Sequence, residues 1–429
     1  MREMKDSGVA WIGEIPEQWD ISTINSLYTL RNQKVSDRDY PPLSVTMKGI
    51  VPQLETAAKT DAHDDRKLVK KGDFAINSRS DRRGSCGISD YDGSVSLINT
   101  VLTPRGEMHP VYYNWLFHSS SFADEFYRWG HGIVDDLWTT RWQEMRNITI
   151  PVPEYAVQQK IAAHLDRKCA QIDALISNAQ QQIEKLKAYK QSVITETVTK
   201  GLDPDVKMKD SGVEWIGEIP EHWKVTNIGR LCFVTKLAGF EYTSHMVNNL
   251  SDDGEVPVVR AQNIKMGIFI DIISDYISME LSEKLHRCAL DKKCLLITFI
   301  GAGIGEVAIF NKEARYHLAP NVAKIVINEN YKEILSEEFL LFYLMSYAGQ
   351  EEVNKIKKAT AQPSLSMETI RSINFVIPTK NEQQAISDYL DRKCAQIDKL
   401  ITLKQQKIEK LQQYKKSLIY EYVTGKKEV

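Results

Sequence analysis

The chain has 429 residues and a net charge of −2, and 42% of its residues are hydrophobic and 26% charged. These are the proportions of an ordinary globular protein, and the length allows two to four domains. There is no run of 18 apolar residues, and residues 1–19 lack the apolar stretch of a secretory signal, so we expect a cytoplasmic protein. The near-neutral charge argues weakly against nucleic-acid binding, although a local patch can still be basic.

A segment near the start of the chain occurs twice. Residues 4–19 read MKDSGVAWIGEIPEQW and residues 208–223 read MKDSGVEWIGEIPEHW, so fourteen of sixteen positions are identical at an offset of 204. The tryptophans that repeat with the motif are Trp11, Trp19, Trp215 and Trp223. Either they anchor a partner protein or they clamp the segment onto its own domain or helix, and we favour the clamp.

The stretch after each copy is predicted to contain short strands and helices. In the first stretch we predict strands at 42–46, 73–78, 93–102 and 147–153 and a helix at 112–129. In the second we predict strands at 256–264, 294–300, 306–310 and 322–328 and a helix at 337–356. The letters are largely unrelated but the order of elements agrees, which predicts one mixed α/β (α+β) fold made twice.

A long helix is predicted to follow each stretch. Residues 166–200 and 391–425 share 23 identities in 35 positions, at an offset of 225. Apolar residues recur at close to heptad spacing without Pro or Gly, which predicts an amphipathic helix of roughly 60 Å in each copy. The predicted packing positions are Ile172, Ile176, Ile183, Leu186, Ile397, Ile401, Ile408 and Leu411. Because one such helix is not stable alone, we expect the two to pack on each other; the alternative is that each packs only on its own domain.

These patterns divide the chain into four parts. We predict a domain at 1–153, a helix at 154–201, a second domain at 202–378 and a second helix at 379–429. Near-identical ends suggest that the two halves dock on the same kind of partner surface. Divergent middles suggest that the halves bind two different things, and the alternative is a recent duplication with drift in the loops.

The chain resembles a known family through the doubled segment KDSGVEWIGEIPEHW and through the markers Arg260–Ile264, Gly301–Phe310 and Asn321–Ile325 of the second domain. The first domain matches more loosely, through Lys71–Phe74 and Asn99–Val101. The family is that of the DNA-specificity subunits of type I restriction–modification systems, and the resemblance covers essentially the whole chain. It implies an internal pseudo-two-fold repeat with two target recognition domains, each reading one half of a bipartite asymmetric site in double-stranded DNA. It also implies that the two long helices pack as an antiparallel coiled coil and hold the domains apart.

The resemblance further implies partners. The repeated regions would bind two modification subunits and, with two restriction subunits, the complex would methylate adenine N6 or translocate and cut foreign DNA in a bacterial or archaeal cytoplasm. S-adenosylmethionine, ATP and Mg²⁺ are then expected on the partner subunits, and this chain is expected to hold no cofactor, no catalytic residue and no membrane contact. The alternative is a solitary recognition protein that competes for modification subunits.

Candidate DNA contacts follow from residue type and place. Arg and Lys suit phosphates and guanine, whereas Asn and Gln suit adenine. A basic loop follows a predicted strand of the first domain, aligned positions of the second domain supply further candidates, and a third region at 132–141 lies opposite 360–364. The candidates are Thr46, Lys48, Asn77, Arg79, Ser80, Arg82, Arg83, Arg260, Gln262, Asn263, Thr298, Gln362 and Ser364. For any one of them, ordinary turn chemistry on a solvated loop is the competing explanation.

Two other kinds of site are not predicted. Phe299–Gly303 resembles a glycine loop that binds S-adenosylmethionine or a dinucleotide, but such a loop needs a helix next, and Val307–Phe310 is predicted as a strand. The six cysteines form no CxxC pair and the nine histidines are scattered, so we predict no metal site and buried, reduced thiols.

Overall fold

The structure is a computed structural model, and it describes residues 2–53, 63–79, 82–132, 138–357 and 364–429. The chain packs into two compact units, of which the first comprises residues 1–180 and 404–429 and the second residues 181–403. The predicted boundaries treat each long helix as a separate part of the chain. In the division seen in the structure, each long helix contributes to both units. No helix of the described residues is long and apolar enough to cross a membrane.

The first unit is built mainly from short strands. These are β1 (Met4–Asp6), β2 (Glu14–Pro16), β3 (Asp20–Thr23), β4 (Tyr28–Leu30), β5 (Lys34–Val35), β6 (Leu43–Thr46), β7 (Gly49–Pro52), β8 (Arg66–Val69), β9 (Phe74–Asn77), β10 (Cys86–Ile88), β11 (Gly93–Val95), β12 (Asn99–Pro104) and β13 (Thr149–Val152). The helices that begin in this unit are α1 (Ile24–Leu27), α2 (Pro110–Phe117), α3 (Ser120–Arg128), α4 (Trp142–Met145) and α5 (Tyr155–Lys200).

The second unit is also built mainly from short strands. Its strands are β14 (Met208–Asp210), β15 (Glu218–Pro220), β16 (Lys224–Asn227), β17 (Cys232–Lys236), β18 (Val256–Val259), β19 (Ile264–Lys265), β20 (Ile268–Phe269), β21 (Tyr276–Ile277), β22 (Ala289–Leu290), β23 (Cys294–Thr298), β24 (Val307–Phe310), β25 (Tyr316–Leu318), β26 (Val322–Ile327) and β27 (Asn374–Ile377). The helices that begin here are α6 (Ile228–Leu231), α7 (Gly239–Glu241), α8 (Met279–Lys284), α9 (Glu337–Met345), α10 (Tyr347–Lys357), α11 (Met367–Ser372) and α12 (Lys380–Val423).

Both units are organised around an antiparallel sheet of four strands in the same order. In the first unit the order is β4-β12-β9-β10, and in the second it is β17-β26-β23-β24. The inner strands β9 and β23 are buried along their whole length, so the apolar runs at 74–77 and 294–298 place each sheet in the core of its unit. The prediction of one mixed α/β fold made twice is therefore confirmed.

The helix predicted after each sheet is broken in two in both units. In the first unit α2 ends before Ser119, whose hydroxyl accepts a hydrogen bond from Phe122 N at 3.2 Å and starts α3. In the second unit Ser346 separates α9 from α10, and its hydroxyl donates to Tyr343 O and accepts from Gly349 N. The prediction of one continuous helix was wrong because a serine hydroxyl competes with the helical backbone for these hydrogen bonds.

The repeated segment is clamped to the end of a long helix in each unit. Trp19 and Trp223 are both almost completely buried. Gly425, in the left-handed conformation with φ 72°, ends α12 beside Trp19, where an added Cβ would lie only 2.9 Å from the ring. Gly201, with φ 81°, ends α5 beside Trp223 in the same way. This placement favours the clamp over a partner anchor for the two tryptophans.

The long helices pack together and run antiparallel. In the first unit Lys415, near the end of α12, pairs with Asp173, near the start of α5, at 2.7 Å. In the second unit Lys190, near the end of α5, pairs with Asp398, near the start of α12, at 2.7 Å. The repeat aligns Asp173 with Asp398 and Lys190 with Lys415, so the same contact is made twice with the roles exchanged.

The eight predicted packing positions lie on the inner faces of these helices. Ile172, Ile183, Ile397 and Ile408 are buried, and Ile176, Leu186, Ile401 and Leu411 are half-buried. In the first unit, Ile172 belongs to the same core as Tyr112 of the globular domain and Leu418 of α12. The start of α5 therefore packs on its own domain and on the other helix at once.

Candidate nucleic-acid interface

A polar loop begins where the central strand β9 of the first unit ends. Asn77 and Ser78 are buried, and the Asn77 side chain accepts a hydrogen bond from Arg79 N at 3.0 Å. The Ser78 hydroxyl lies 3.0 Å from the hydroxyl of Thr100 on the neighbouring strand. Arg79 is exposed and forms an isolated antiparallel bridge with Thr139. The buried polar side chains therefore fix the end of the strand and present Arg79 to solvent.

The two arginines that follow have different surroundings. The Arg83 guanidinium lies 4.9 Å from the ring centroid of Tyr127 and forms an ion pair with Asp124. Tyr127 in turn stacks on Trp138 with 5.6 Å between ring centroids. Arg82 is exposed, like Arg79. Ser80 lies outside the described residues.

A second group of candidates occupies the hairpin of β6 and β7. Thr46 is paired with Gly49, and its hydroxyl donates to Gly49 O at 2.9 Å and accepts from Lys48 N at 3.1 Å. Lys48 and its neighbour Met47 are exposed at the tip. Thr46 therefore shapes the turn, and Lys48 is the side chain that the turn presents.

The corresponding candidates in the second unit are mostly engaged in the protein itself. The Asn263 amide donates to Ile270 O and Ile272 O and accepts from Arg260 N, and the residue is almost completely buried. Arg260 pairs with Asp275 at 2.5 Å, which holds the pKa of Asp275 below its ordinary value. The side chain of Asn263 thus closes a loop, and we remove it from the residues proposed to read bases. Gln262, between them, is exposed.

The end of β23 in the second unit corresponds to the end of β9. Thr298 is completely buried and its hydroxyl has no hydrogen-bond partner among the described residues, so we also remove it from the residues proposed to read bases. Ile300 forms an isolated antiparallel bridge with Ser364, as Arg79 does with Thr139, and both Ile300 and Ser364 are exposed. Gln362 lies outside the described residues. Equivalent backbone positions therefore carry an arginine in one unit and an isoleucine in the other.

The glycine loop after Ile300 precedes a strand, as predicted. Gly301 has φ 101° and Gly305 φ 90°, conformations that favour glycine, and β24 follows at Val307. No helix N-terminus meets the loop, which is what a phosphate or cofactor carboxylate would require. Among the described residues, no group of His, Cys, Asp and Glu side chains is placed to hold a metal ion.

Sequence reasoning missed Tyr127, and it placed Trp138 only within the region 132–141. Tyr127 follows a helical pattern, so nothing in the sequence separates it from an ordinary core aromatic. Its contacts with Arg83 and Trp138 join residues that are 44 and 11 positions away from it in the chain. Only tertiary packing brings them together.

Comparison with known families gives one result. The family model of the type I restriction modification DNA specificity domain matches residues 220–413. The chain is 24% identical to the putative type I restriction enzyme MjaX specificity subunit of Methanocaldococcus jannaschii, over 97% of this chain and 95% of that protein. The chain is therefore similar to type I specificity subunits, and its residues 220–413 match their DNA specificity domain. The resemblance inferred from the sequence motifs is thereby confirmed.

Two further specificity subunits match over part of their length. The MjaVIII specificity subunit of the same archaeon is 26% identical over 65% of this chain and 62% of its own length. The EcoBI specificity subunit of Escherichia coli is 25% identical over 60% of this chain and 53% of its own length. The chain thus spans less than two thirds of each of these two relatives.

Solved structures show the same fold at low sequence identity. A chain in a structure concerned with complex assembly and conformational transition of the type I R-M system has a TM-score of 0.73 and 12% identity, covering 95% of this chain and 98% of that one. The HsdS subunit of Thermoanaerobacter tengcongensis has a TM-score of 0.51 and 14% identity, covering 96% and 98%. These likenesses, with the packed long helices, confirm the predicted fold.

Proposed function

We propose that this chain is the sequence-reading subunit of a type I complex, with each domain recognising one half of a bipartite asymmetric DNA site. The observation that carries the proposal is the contrast at the end of the central strand. Two domains with the same strand order present Arg79 in one and Ile300 in the other at equivalent bridges. One scaffold with unlike side chains at the same place suits two unlike half-sites.

The proposed contacts are the exposed candidates. In the first domain these are Lys48, Arg79 and Arg82, together with Arg83, which lies over the ring of Tyr127. In the second domain they are Gln262 and Ser364, together with Arg260, which is paired with Asp275. Arginine suits guanine or phosphate and glutamine suits adenine. The DNA sequence would then be read by few side chains, while the buried Asn77 and the half-buried Thr46 fix the loops.

We assign the chemistry to partners. In the proposal the chain holds no catalytic group or cofactor, and two modification subunits with S-adenosylmethionine and two restriction subunits with ATP and Mg²⁺ act on the DNA that it selects. The repeated segments and the long helices, which are alike in both halves, would dock the two modification subunits. Adenine N6 methylation or cleavage would follow on the partners.

The test is co-expression with the candidate modification subunit, followed by single-molecule mapping of adenine methylation in host DNA. A new split motif with two fixed halves and a constant gap is the expected result. A complex that forms with an active modification subunit but gives no methylation would replace the proposal with the solitary competitor.

Individual contacts are tested on the same complex. Arg79→Ala and Arg82→Ala should each weaken binding of the mapped site by roughly 10- to 100-fold if the side chain contacts a base, and should lower the salt dependence by about one counterion if it contacts a phosphate. Arg105→Ala, which removes an exposed arginine directly after β12 of the same unit, is the matched control. Unchanged affinity and salt dependence in both loop variants would remove this loop from the interface.

A further inference from the structure

A small pocket lies beside the proposed reading loop of the first domain. It is lined by residues of β9 and α3 and by the chain at 138–140, and its apolar wall consists of Phe117, Phe122, Ala123, Phe126, Tyr127 and Trp138. The free space inside is about 20 Å³, which is room for about one methyl group or one water molecule. Arg79 and Arg83 also border it, so the pocket opens next to the charges proposed to meet DNA.

The hydroxyl groups of the lining and the side-chain oxygen of Asn77 are already engaged. The Ser78 hydroxyl is paired with that of Thr100 at 3.0 Å, and the Thr140 hydroxyl donates to Phe126 O at 2.7 Å. The Asn77 side-chain oxygen accepts from Arg79 N. An ordered water needs two to four polar partners, so these engaged groups favour an apolar occupant over a water molecule.

The wall of the pocket is held in place from outside. Tyr127 lies between Arg83 on one face and Trp138, and the Trp138 indole donates to Tyr127 O at 2.9 Å. The ion pair with Asp124 fixes Arg83 over the ring. A pocket with such a supported wall can discriminate by shape, because its occupant does not need to order the side chains on binding.

The apolar group of this size that a DNA duplex presents beside guanine and adenine acceptors is the 5-methyl group of thymine in the major groove. We propose that the pocket receives the methyl group of one thymine in the half-site read by the first domain. This inference rests on the proposed function and adds to it a specific chemical feature of the target. Arg79 would contact the neighbouring base pair or phosphate while the methyl group fills the pocket.

The second domain carries a larger side chain at the position that corresponds to Ser78. Ser78 corresponds to Phe299, which follows β23 as Ser78 follows β9. Phe299 is almost completely buried, belongs to the core of the second unit and has Lys236 over its ring at 4.5 Å. The aromatic side chain takes up space that a serine leaves open, so the second half-site should show no dependence on this pocket.

The test uses the mapped target site and the full chain in complex with its modification subunit. Each thymine of both half-sites is replaced in turn by deoxyuridine, which removes the methyl group and leaves base pairing intact, and duplex affinity is measured by competition. We expect one thymine of the first half-site to lose about threefold to fivefold in affinity, as expected for the burial of one methyl group. A first half-site without any thymine, or one in which no replacement changes affinity, would overturn the proposal.

A protein variant tests the same pocket independently. Ala123→Leu fills the pocket from a half-buried position on α3, and the matched control Ser120→Leu adds the same side chain to an exposed position on α3 outside the pocket lining. With Ala123→Leu the ratio of affinities for the thymine and deoxyuridine duplexes should fall to about one, whereas the control should keep the wild-type ratio. A wild-type ratio in folded Ala123→Leu, judged by circular dichroism, would refute the pocket, whereas specific binding of the unmodified site by wild type would leave the proposed function standing.

Discussion

A buried glutamine ties each long helix to its own domain, and its removal gives a sharp prediction. In the first unit Gln158 lies in the first turns of α5. Its side-chain oxygen accepts from His109 N at 2.9 Å, and its amide donates to Pro153 O at 2.7 Å. Replacing Gln158 by alanine leaves both main-chain groups without this partner.

The equivalent residue of the second unit makes more contacts. Gln383 is completely buried in α12, and its oxygen accepts from Ser336 N at 2.9 Å. Its amide donates to Ile334 O at 2.7 Å and to Pro378 O at 3.0 Å. Alanine at this position therefore leaves three main-chain groups without their hydrogen-bond partner, instead of two.

The magnitudes follow from these counts. A buried main-chain group that loses its partner costs about 1–3 kcal/mol, so Gln158→Ala should lower the free energy of unfolding by roughly 2–6 kcal/mol and Gln383→Ala by roughly 3–9 kcal/mol. Gln159→Ala and Gln384→Ala are the matched controls, because these neighbours are exposed, and each should change stability by about 0.5 kcal/mol or less.

The assay is urea denaturation followed by circular dichroism. Because the chain forms two units, each variant should lower the transition of the unit that contains the glutamine and leave the other transition in place. If Gln158→Ala and Gln383→Ala unfold at the same urea concentrations as their controls, the glutamines do not couple helix and domain, and the reasoning fails.

Three further predictions concern the helices and the second core. Asp173→Lys should destabilise the first unit by about 1 kcal/mol or less, and adding Lys415→Asp should restore it in urea denaturation, because the half-exposed ion pair is then reversed; no restoration would argue against the pair. Ile172→Ala should cost about 2–4 kcal/mol, and exposed Leu175→Ala less than about 1 kcal/mol, in the same assay; equal costs would contradict the packing face. Burial lowers the pKa of His317, so the unfolded state gains the proton first and stability should fall as pH drops through about 6.5. In His317→Phe that part of the pH dependence should vanish, and its persistence would assign it to other groups.

The sequence was sufficient to predict the local structure at the ends of each half. Two nearly identical copies of the segment and of the helix can only make nearly identical local structures, and the heptad pattern placed Ile172 and Ile397 on buried faces. The strands at 294–298, 307–310 and 322–327 also agree with their predicted positions, because β-branched runs between turns are an unambiguous pattern. The order of the strands in the sheet could be determined only from the structure.

The site was less predictable, because residue type does not determine exposure. Asn263 and Gln262 are neighbours of similar chemistry, yet one amide closes a loop and the other faces solvent. Thr298 and Arg79 both lie near the end of a central strand, yet Thr298 is completely buried. These differences depend on which backbone carbonyls lie within reach after folding, and a sequence pattern carries no such information.

The exchanged ion pairs give a physical reason why the ends of the two halves stay alike while the middles differ. Since the helices are antiparallel copies, Asp173 meets Lys415 and its equivalent Asp398 meets Lys190. A charge change in one helix alone therefore breaks one of the two equivalent ion pairs, and a compensating change is needed in the other helix. No such coupling binds Ser78 to Phe299, because each faces only its own domain. The loops can then diverge, and with them the half-site that each domain is proposed to read, while the helices keep their shared register.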